Sequence, residues 1–238
     1  MLIAALKQRR DLEVEVFVEE QNCISSTIPV PNWDVCFVKG RGELVQAQAF
    51  HMEMAGVPTH NCAFAIHVTN HRLLYSLLAK SVDILEPEFA VGHERDITFD
   101  EYIVKEECVE SKMKFTPLLG QRGTNVTNNE IYYFQRRIHS QWEYKIYSFG
   151  ELFFFFKETP TLVNPDKMAT RVSIPEIPYL RECVEKIKKA TKLTITSVDF
   201  LEEGGQFYLT DVNSAPNFNY IKNGPEILAE WLVNQTKL

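Results

Sequence analysis

Between Leu180 and Asn213 the sequence changes its hydrophobic period twice, and this change narrows the architectures open to it. Leu180, Cys183, Val184, Ile187 and Ala190 fall at i, i+3, i+4, i+7 and i+10, which lays one apolar stripe along a helix. Two alternating runs follow, Thr194 to Leu201 and Gln206 to Asn213, joined by Gly204-Gly205, so the spacing predicts a tight hairpin after the helix.

Upstream, the pattern predicts a helix over residues 1–10, a strand from Leu12 to Glu19 and a short strand from Val35 to Lys39. A helix from Glu43 to Ala55 stops at Gly56 and Pro58, and Asn70 is positioned to cap a further helix through Ala79. Such alternation implies a parallel α/β layer. From about Phe89 to Phe156 the chain is rich in strands, with Ser148-Phe149-Gly150-Glu151 as a hairpin turn, and a short helix from Pro225 to about Asn234 closes it. The run Phe153 to Phe156 reads as sheet core whose alternate face could line a pocket.

Composition removes several functional classes. The 238 residues carry a formal net charge of −7, which leaves no electrostatic footprint for nucleic acid or an anionic membrane. No apolar stretch approaches the ~20 residues of a membrane span. Five cysteines, Cys23, Cys36, Cys62, Cys108 and Cys183, show no CxxC spacing, so they predict a reducing, cytoplasmic setting rather than a disulfide framework or a thiolate zinc site. The six histidines show neither HxxH nor HExxH spacing.

The strongest chemical signal lies on the C-terminal hairpin. Asp211 and Asn213 are two apart on one strand and share a face, and a tight turn brings Asp199 alongside. Three oxygen-bearing side chains at a sheet edge can hold Mg²⁺ when phosphate and water complete its shell, though a solvated hairpin ending in an Asx turn fits the same residues.

Taken in order along the chain, the motifs resemble the ATP-grasp superfamily, in its glutathione-synthetase-like branch. Asp34 to Lys39 with Gly56-Val57-Pro58-Thr59-His60-Asn61 is similar to the end of that family's leading domain. Asn70-His71-Arg72-Leu73-Leu74 resembles its helix start, Tyr102-Ile103-Val104-Lys105 its lysine-tipped strand, and Phe134-Gln135-Arg136-Arg137-Ile138 its adenine hinge. Glu143-Tyr144-Lys145-Ile146-Tyr147 resembles the strand with one acidic and one basic functional residue, and Thr170-Arg171-Val172-Ser173 stands where an Arg-x-Asn pair is common.

The resemblance implies an α/β (α+β) fold in which two sheet-containing lobes clasp ATP. It implies a shortened Rossmann-like leading domain over residues 1–68 and an ATP-grasp domain over 69–238, with about 89–134 as a smaller lid lobe. The implied activity is that of a carboxylate-amine ligase acting through an acyl phosphate, with ATP and Mg²⁺, or Mn²⁺ in its place. Asp199, Asp211 and Asn213 are then the metal ligands, and Arg171 and Lys145 the catalytic residues. Arg72, Lys105, Gln135, Arg136, Arg137, Ile138 and Glu143 bind nucleotide. The stretch 106–123 is the expected water-shielding loop; its first glycine is Gly120, so Lys112, Lys114 or Arg122 supplies charge there. Implied partners are small-molecule or peptide carboxylates and amines, and a homodimer. Two other readings stay open: a kinase acting on a polyol or inositol phosphate, and a non-catalytic ATP-binding module.

Overall fold

The computed structural model describes residues 1–9, 13–14, 16, 33–40, 42–105, 118–123, 131–164 and 166–235. The expected strand at 12–19 lies largely outside these residues, as do Cys23, Cys108, Lys112, Lys114 and most of the expected loop. Six helices and three sheets are described. No helix among the described residues is long and apolar enough to cross a membrane.

The chain opens with α1 (Leu2–Lys7) and then a parallel pair, β1 (Cys36–Phe37) and β2 (Thr59–His60), connected by α2 (Glu43–Met54). Parallel strands need such a crossover, which here buries Val38, Ala49 and Ile66 together. Asn61 follows β2 in a left-handed conformation (φ 55°) that asparagine tolerates better than most residues. Its amide donates to the carbonyls of Ile195 and Ser214 at 2.7 and 2.6 Å, and its Oδ1 accepts from the Thr194 and Ile195 N–H groups at 3.1 Å each. One buried side chain thus ties the N-terminal layer to strands more than 130 residues away.

Two helices come next, α3 (Ala63–Asn70) and α4 (Arg72–Ser81). Asn70 is the last residue of α3, and His71 occupies the cap position of α4 with no side-chain capping bond. The expected Asn70 cap is therefore corrected: a second helix ends there first.

A four-stranded antiparallel sheet is formed by β3 (Phe89–Gly92), β4 (Glu101–Lys105), β5 (Leu118–Gln121) and β6 (Tyr132–Arg136), in the order β3-β6-β4-β5. Tyr102, Val104 and Phe134 face one way and cluster with Ile97 and Phe99. Lys105 and Gln135 face the other way, where Lys105 Nζ donates to Gln135 Oε1. Gly120 is required by this packing, since a Cβ there would lie 2.1 Å from the Tyr102 ring.

The largest layer is a five-stranded antiparallel platform made by β7 (Glu143–Phe149), β8 (Leu152–Glu158), β9 (Val172–Ser173), β10 (Ile195–Glu203) and β11 (Gln206–Asn213), ordered β11-β10-β7-β8-β9. Between β9 and β10 lies α5 (Pro178–Thr191), which starts with proline in its first turn and ends at a left-handed Lys192 (φ 60°). Its stripe of Leu180, Cys183, Val184 and Ile187 is buried against Ile146, Phe155, Val198 and Phe200 of the platform, about 1.5–3 kcal/mol for each large aliphatic side chain. The opposite face is divided along the strands. Toward one end, Tyr147, Phe149 and Ile195 pack under α6 (Gly224–Gln235) and the 3-10 turn Phe218–Tyr220. Toward the other end stand Glu143, Lys145 and Asp199. The phenylalanine run contributes to both faces, Phe153 and Phe155 to the first and Phe154 and Phe156 to the second, so its alternate side packs in core.

Candidate functional site

Strand register assembles the polar end of the platform. Lys145 pairs with Asp199, and Asp199 pairs with Asp211, so three charged side chains stand in a row across β7, β10 and β11. Asn213 lies two residues further along β11, on the same face. The register shifts just after the Asp199–Asp211 pair, leaving Thr210 as the extra residue of a β-bulge. Its hydroxyl donates to the Asp199 carbonyl at 3.1 Å, and its own carbonyl accepts from Lys105 Nζ at 2.8 Å. The bulge therefore holds the four-stranded sheet's lysine against the platform.

Each carboxylate has a cation. Lys145 Nζ donates to Asp199 Oδ2 at 2.5 Å and lies 3.9 Å from Glu143 Oε1. Arg72 Nη1, from the first turn of α4, donates to Asp211 Oδ1 at 2.9 Å and to the Tyr75 hydroxyl at 3.1 Å. Burial works against the Arg72 cation, and Tyr75 and Asp211 more than restore it. Burial pulls the Lys105 ammonium down to about 8, with Arg72 acting the same way. It pushes the Asp199 carboxyl up, against the pull of Lys145. Asp199 Oδ1 and Gln135 Nε2 are buried without a hydrogen-bond partner among the described residues. Such groups are costly unless a ligand meets them.

A second cluster adjoins the first. Glu158 pairs across strands with Glu143, and its Oε2 accepts from Arg171 Nε. The Glu158 side chain is fully buried and that of Arg171 is 6% exposed. Arg171 Nη1 reaches the Tyr147 hydroxyl at 3.5 Å, and the Tyr220 ring covers the guanidinium at 4.3 Å. Glu158 and the role of Tyr147 escape a reading of the sequence alone. One signal was available: Glu158 continues the positions of Phe154 and Phe156, an acid at an inward place of a strand.

The hinge is more committed than its motif implies. The N–H groups of Arg136 and Arg137 donate to the carbonyls of Glu88 and Glu101, at 2.7 and 3.0 Å. The Arg136 guanidinium bridges Glu203 at 3.1 Å, and that of Arg137 lies 3.5 Å from Glu101. Ile138 is buried, and its N–H has no partner among the described residues. The structure thus brings together Arg72, Lys105, Gln135, Glu143, Lys145, Asp199 and Asp211, with Asn213 beside them and Arg171 one strand away. The side chains of Arg136 and Arg137 point into ion pairs outside this cluster.

The whole arrangement superposes on that of a RimK-domain ATP-grasp protein from Sphaerobacter thermophilus DSM 20745, with a TM-score of 0.75 over 98% of this chain and 93% of that one, at 16% identity. The chain has the ATP-grasp fold. The ATP-grasp ligase PsnB, in complex with a minimal precursor, Mg and ADP, is similar over 82% of this chain and 68% of its own at a TM-score of 0.64 and 12% identity. D-alanine–D-alanine ligase from Bacillus anthracis matches over 83% and 75%, with a TM-score of 0.60 and 14% identity. No protein-family model and no curated protein matches the sequence.

An ATP-grasp fold implies a nucleotide and a divalent cation, and the residues present fit both. The orphaned Asp199 oxygen, with Asp211 and Asn213 on the same face, suits a hard cation. Among the described residues no three His, Cys, Asp or Glu side chains form a cage, so phosphate and water oxygens must complete any shell. Buried Ile138 and the unpartnered Gln135 Nε2 suit the edge of a planar base.

Proposed function

We propose that this chain is an ATP-dependent ligase that joins a carboxylate to an amine and releases ADP. The observation that carries the reading is the Lys145–Asp199–Asp211 row, its buried unpartnered oxygen, and the convergence on it of Arg72 and Lys105 from two other elements. Bound Mg-ATP would supply the γ-phosphoryl group that converts the substrate carboxylate into an acyl phosphate, leaving ADP, and the amine would then attack the acyl carbon and displace inorganic phosphate. The protein's part is positioning and charge neutralisation, because phosphoryl transfer needs little covalent help.

Asp199, Asp211 and Asn213 hold the cation. Arg72, Lys105 and Lys145 balance phosphate charge, and the Ile138 N–H orients the base. Arg171 is held by Glu158 and Tyr147 so that its guanidinium faces Tyr220, next to the polar Asn217–Tyr220 segment that follows the metal ligands. In this reading residues 1–68 form the leading domain and about 89–134 the lid lobe, and the substrates are small polar or peptide-like molecules.

Calorimetric titration with ATP and Mg²⁺ tests the assignment. The wild type should bind in a magnesium-dependent way, and Asp211→Ala with Asn213→Ala should lose roughly 100-fold or more of that dependence, about 2.7 kcal/mol. Equal magnesium dependence in the double variant would remove these residues from the site. ADP release with carboxylate and amine pairs separates a ligase from a binding module.

A further inference from the structure

A pair of histidines stands outside the acid row and the hinge. The sequence carries no HExxH motif. His67-Val68-Thr69-Asn70-His71 nevertheless keeps the i, i+4 interval of that motif's two histidines, with valine where it has glutamate. This corrects the expectation that no histidine spacing of metal type is present. Helix α3 runs through Asn70, so His71 begins one helical turn beyond His67 and on the same side. The two rings lie 4.7 Å apart between centroids and are tilted by 57°.

That separation fits two ligands of one ion. A nitrogen–metal bond of about 2.0–2.1 Å puts each ring centre ~3.2 Å from the ion, so the 4.7 Å separation subtends an angle of about 95° there. This is near the right angle between adjacent ligands in square-planar or octahedral coordination, and a small ring movement opens it towards the tetrahedral ~109°. His67 is exposed, which gives an ion a path from solvent, and His71 is half-buried. His71 makes a further contact within the protein. An imidazole has two nitrogens, so one can keep that contact while the other binds metal, as metal-bound histidines commonly do.

We propose that His67 and His71 form a site for a borderline divalent transition ion, of the Ni²⁺, Cu²⁺ or Zn²⁺ class. Imidazole nitrogen suits these ions, whereas the oxygen ligands of the acid row suit Mg²⁺. No third His, Cys, Asp or Glu completes a cage among the described residues, so water or the donor atoms of a bound ligand fill the remaining positions. The site lies at the junction of α3 and α4, one residue before Arg72. It needs no nucleotide and does not depend on the reading of the platform acids.

Calorimetric titration of Ni²⁺ into the full chain, without an affinity tag and in excess Mg²⁺, tests the site. The wild type should take up one equivalent. His67→Ala and His71→Ala should each weaken that uptake at least about tenfold, because losing one ligand removes the chelate. Asp211→Ala with Asn213→Ala should leave it unchanged. A wild type that takes up no Ni²⁺, or His67→Ala that takes it up as tightly, overturns the proposal and leaves the two rings as a packing contact. Uptake abolished by the platform double variant overturns it too, by placing the ion on the acids. Circular dichroism checks that each variant folds; should His71→Ala unfold, His67→Ala decides alone, since that residue is exposed.

Discussion

The five-stranded platform and the four-stranded sheet carry different parts of the site in different ways. The platform has a helix-covered face and a second face whose apolar end lies under α6, so its strands are fixed from both sides. It carries the acids, Glu143, Glu158, Asp199 and Asp211, aligned by register alone. The four-stranded sheet has one small cluster of five buried hydrophobic residues, and exposed Leu118 and Leu119 on its outer strand. It contributes Lys105 and the hinge. The platform thus holds these acids together with Lys145, and the two layers are joined by the Lys105–Thr210 bond and the Arg136–Glu203 pair.

This contrast can be broken most forcefully in the two cores. Phe200→Ala and Phe134→Ala each remove a fully buried ring, worth about 3–5 kcal/mol. Phe200→Ala should lower the urea midpoint of the entire chain. Phe134→Ala should speed amide exchange in β4 and β6 while β7 and β10 stay protected. Equal loss of protection in both layers after Phe134→Ala would show one cooperative unit.

A smaller effect is expected at the seam. Glu86 accepts from the Ser76 hydroxyl at 2.9 Å, and Ser76 meets the Tyr133 hydroxyl of the four-stranded sheet at 3.0 Å. Burial pushes the Glu86 carboxyl from 4.5 up to about 7, opposed by Ser76 and Lys105. A carboxyl raised on folding favours the fold below its unfolded value. That contribution, on the order of 3 kcal/mol, is lost as pH rises from about 4.5 through about 7. Glu86→Gln should flatten this part of the stability profile in thermal melts across that range; an unchanged slope would place the titration elsewhere. Smallest of all, Glu203→Gln removes a pair whose side chains are 34% and 29% exposed, and should cost under about 1 kcal/mol. A larger loss in chemical denaturation would mean that the two layers depend on each other.

Much of this architecture was legible because its signals are local. The stripe of α5 and the Gly204-Gly205 turn, both glycines at positive φ, lie within a few residues of what they specify. That turn alone would set Thr210 opposite Asp199; the pairing with Asp211 needs the one-residue bulge as well, which no local signal announces. In contrast, α3 shows no clear apolar stripe, since polar Thr69 and Asn70 are among its buried residues while Phe64 is exposed. Arg72 and Asp211 are 139 positions apart, and nothing in either neighbourhood announces the other. The Glu158–Arg171–Tyr220 stack needs three separate segments to meet, and the hinge's engaged N–H groups depend on which strands flank it.

The extra residue at Thr210 also governs which way half a strand looks. Phe207 and Leu209 point into the helix-covered core, and a strand of uninterrupted parity would send Asp211 and Asn213 after them into hydrocarbon. One inserted residue reverses the count, so that Val212 enters the core while both oxygen-bearing side chains turn outward. The hairpin is in effect a vernier set to half a period. Its chemistry depends on an offset in length as much as on the identity of any side chain.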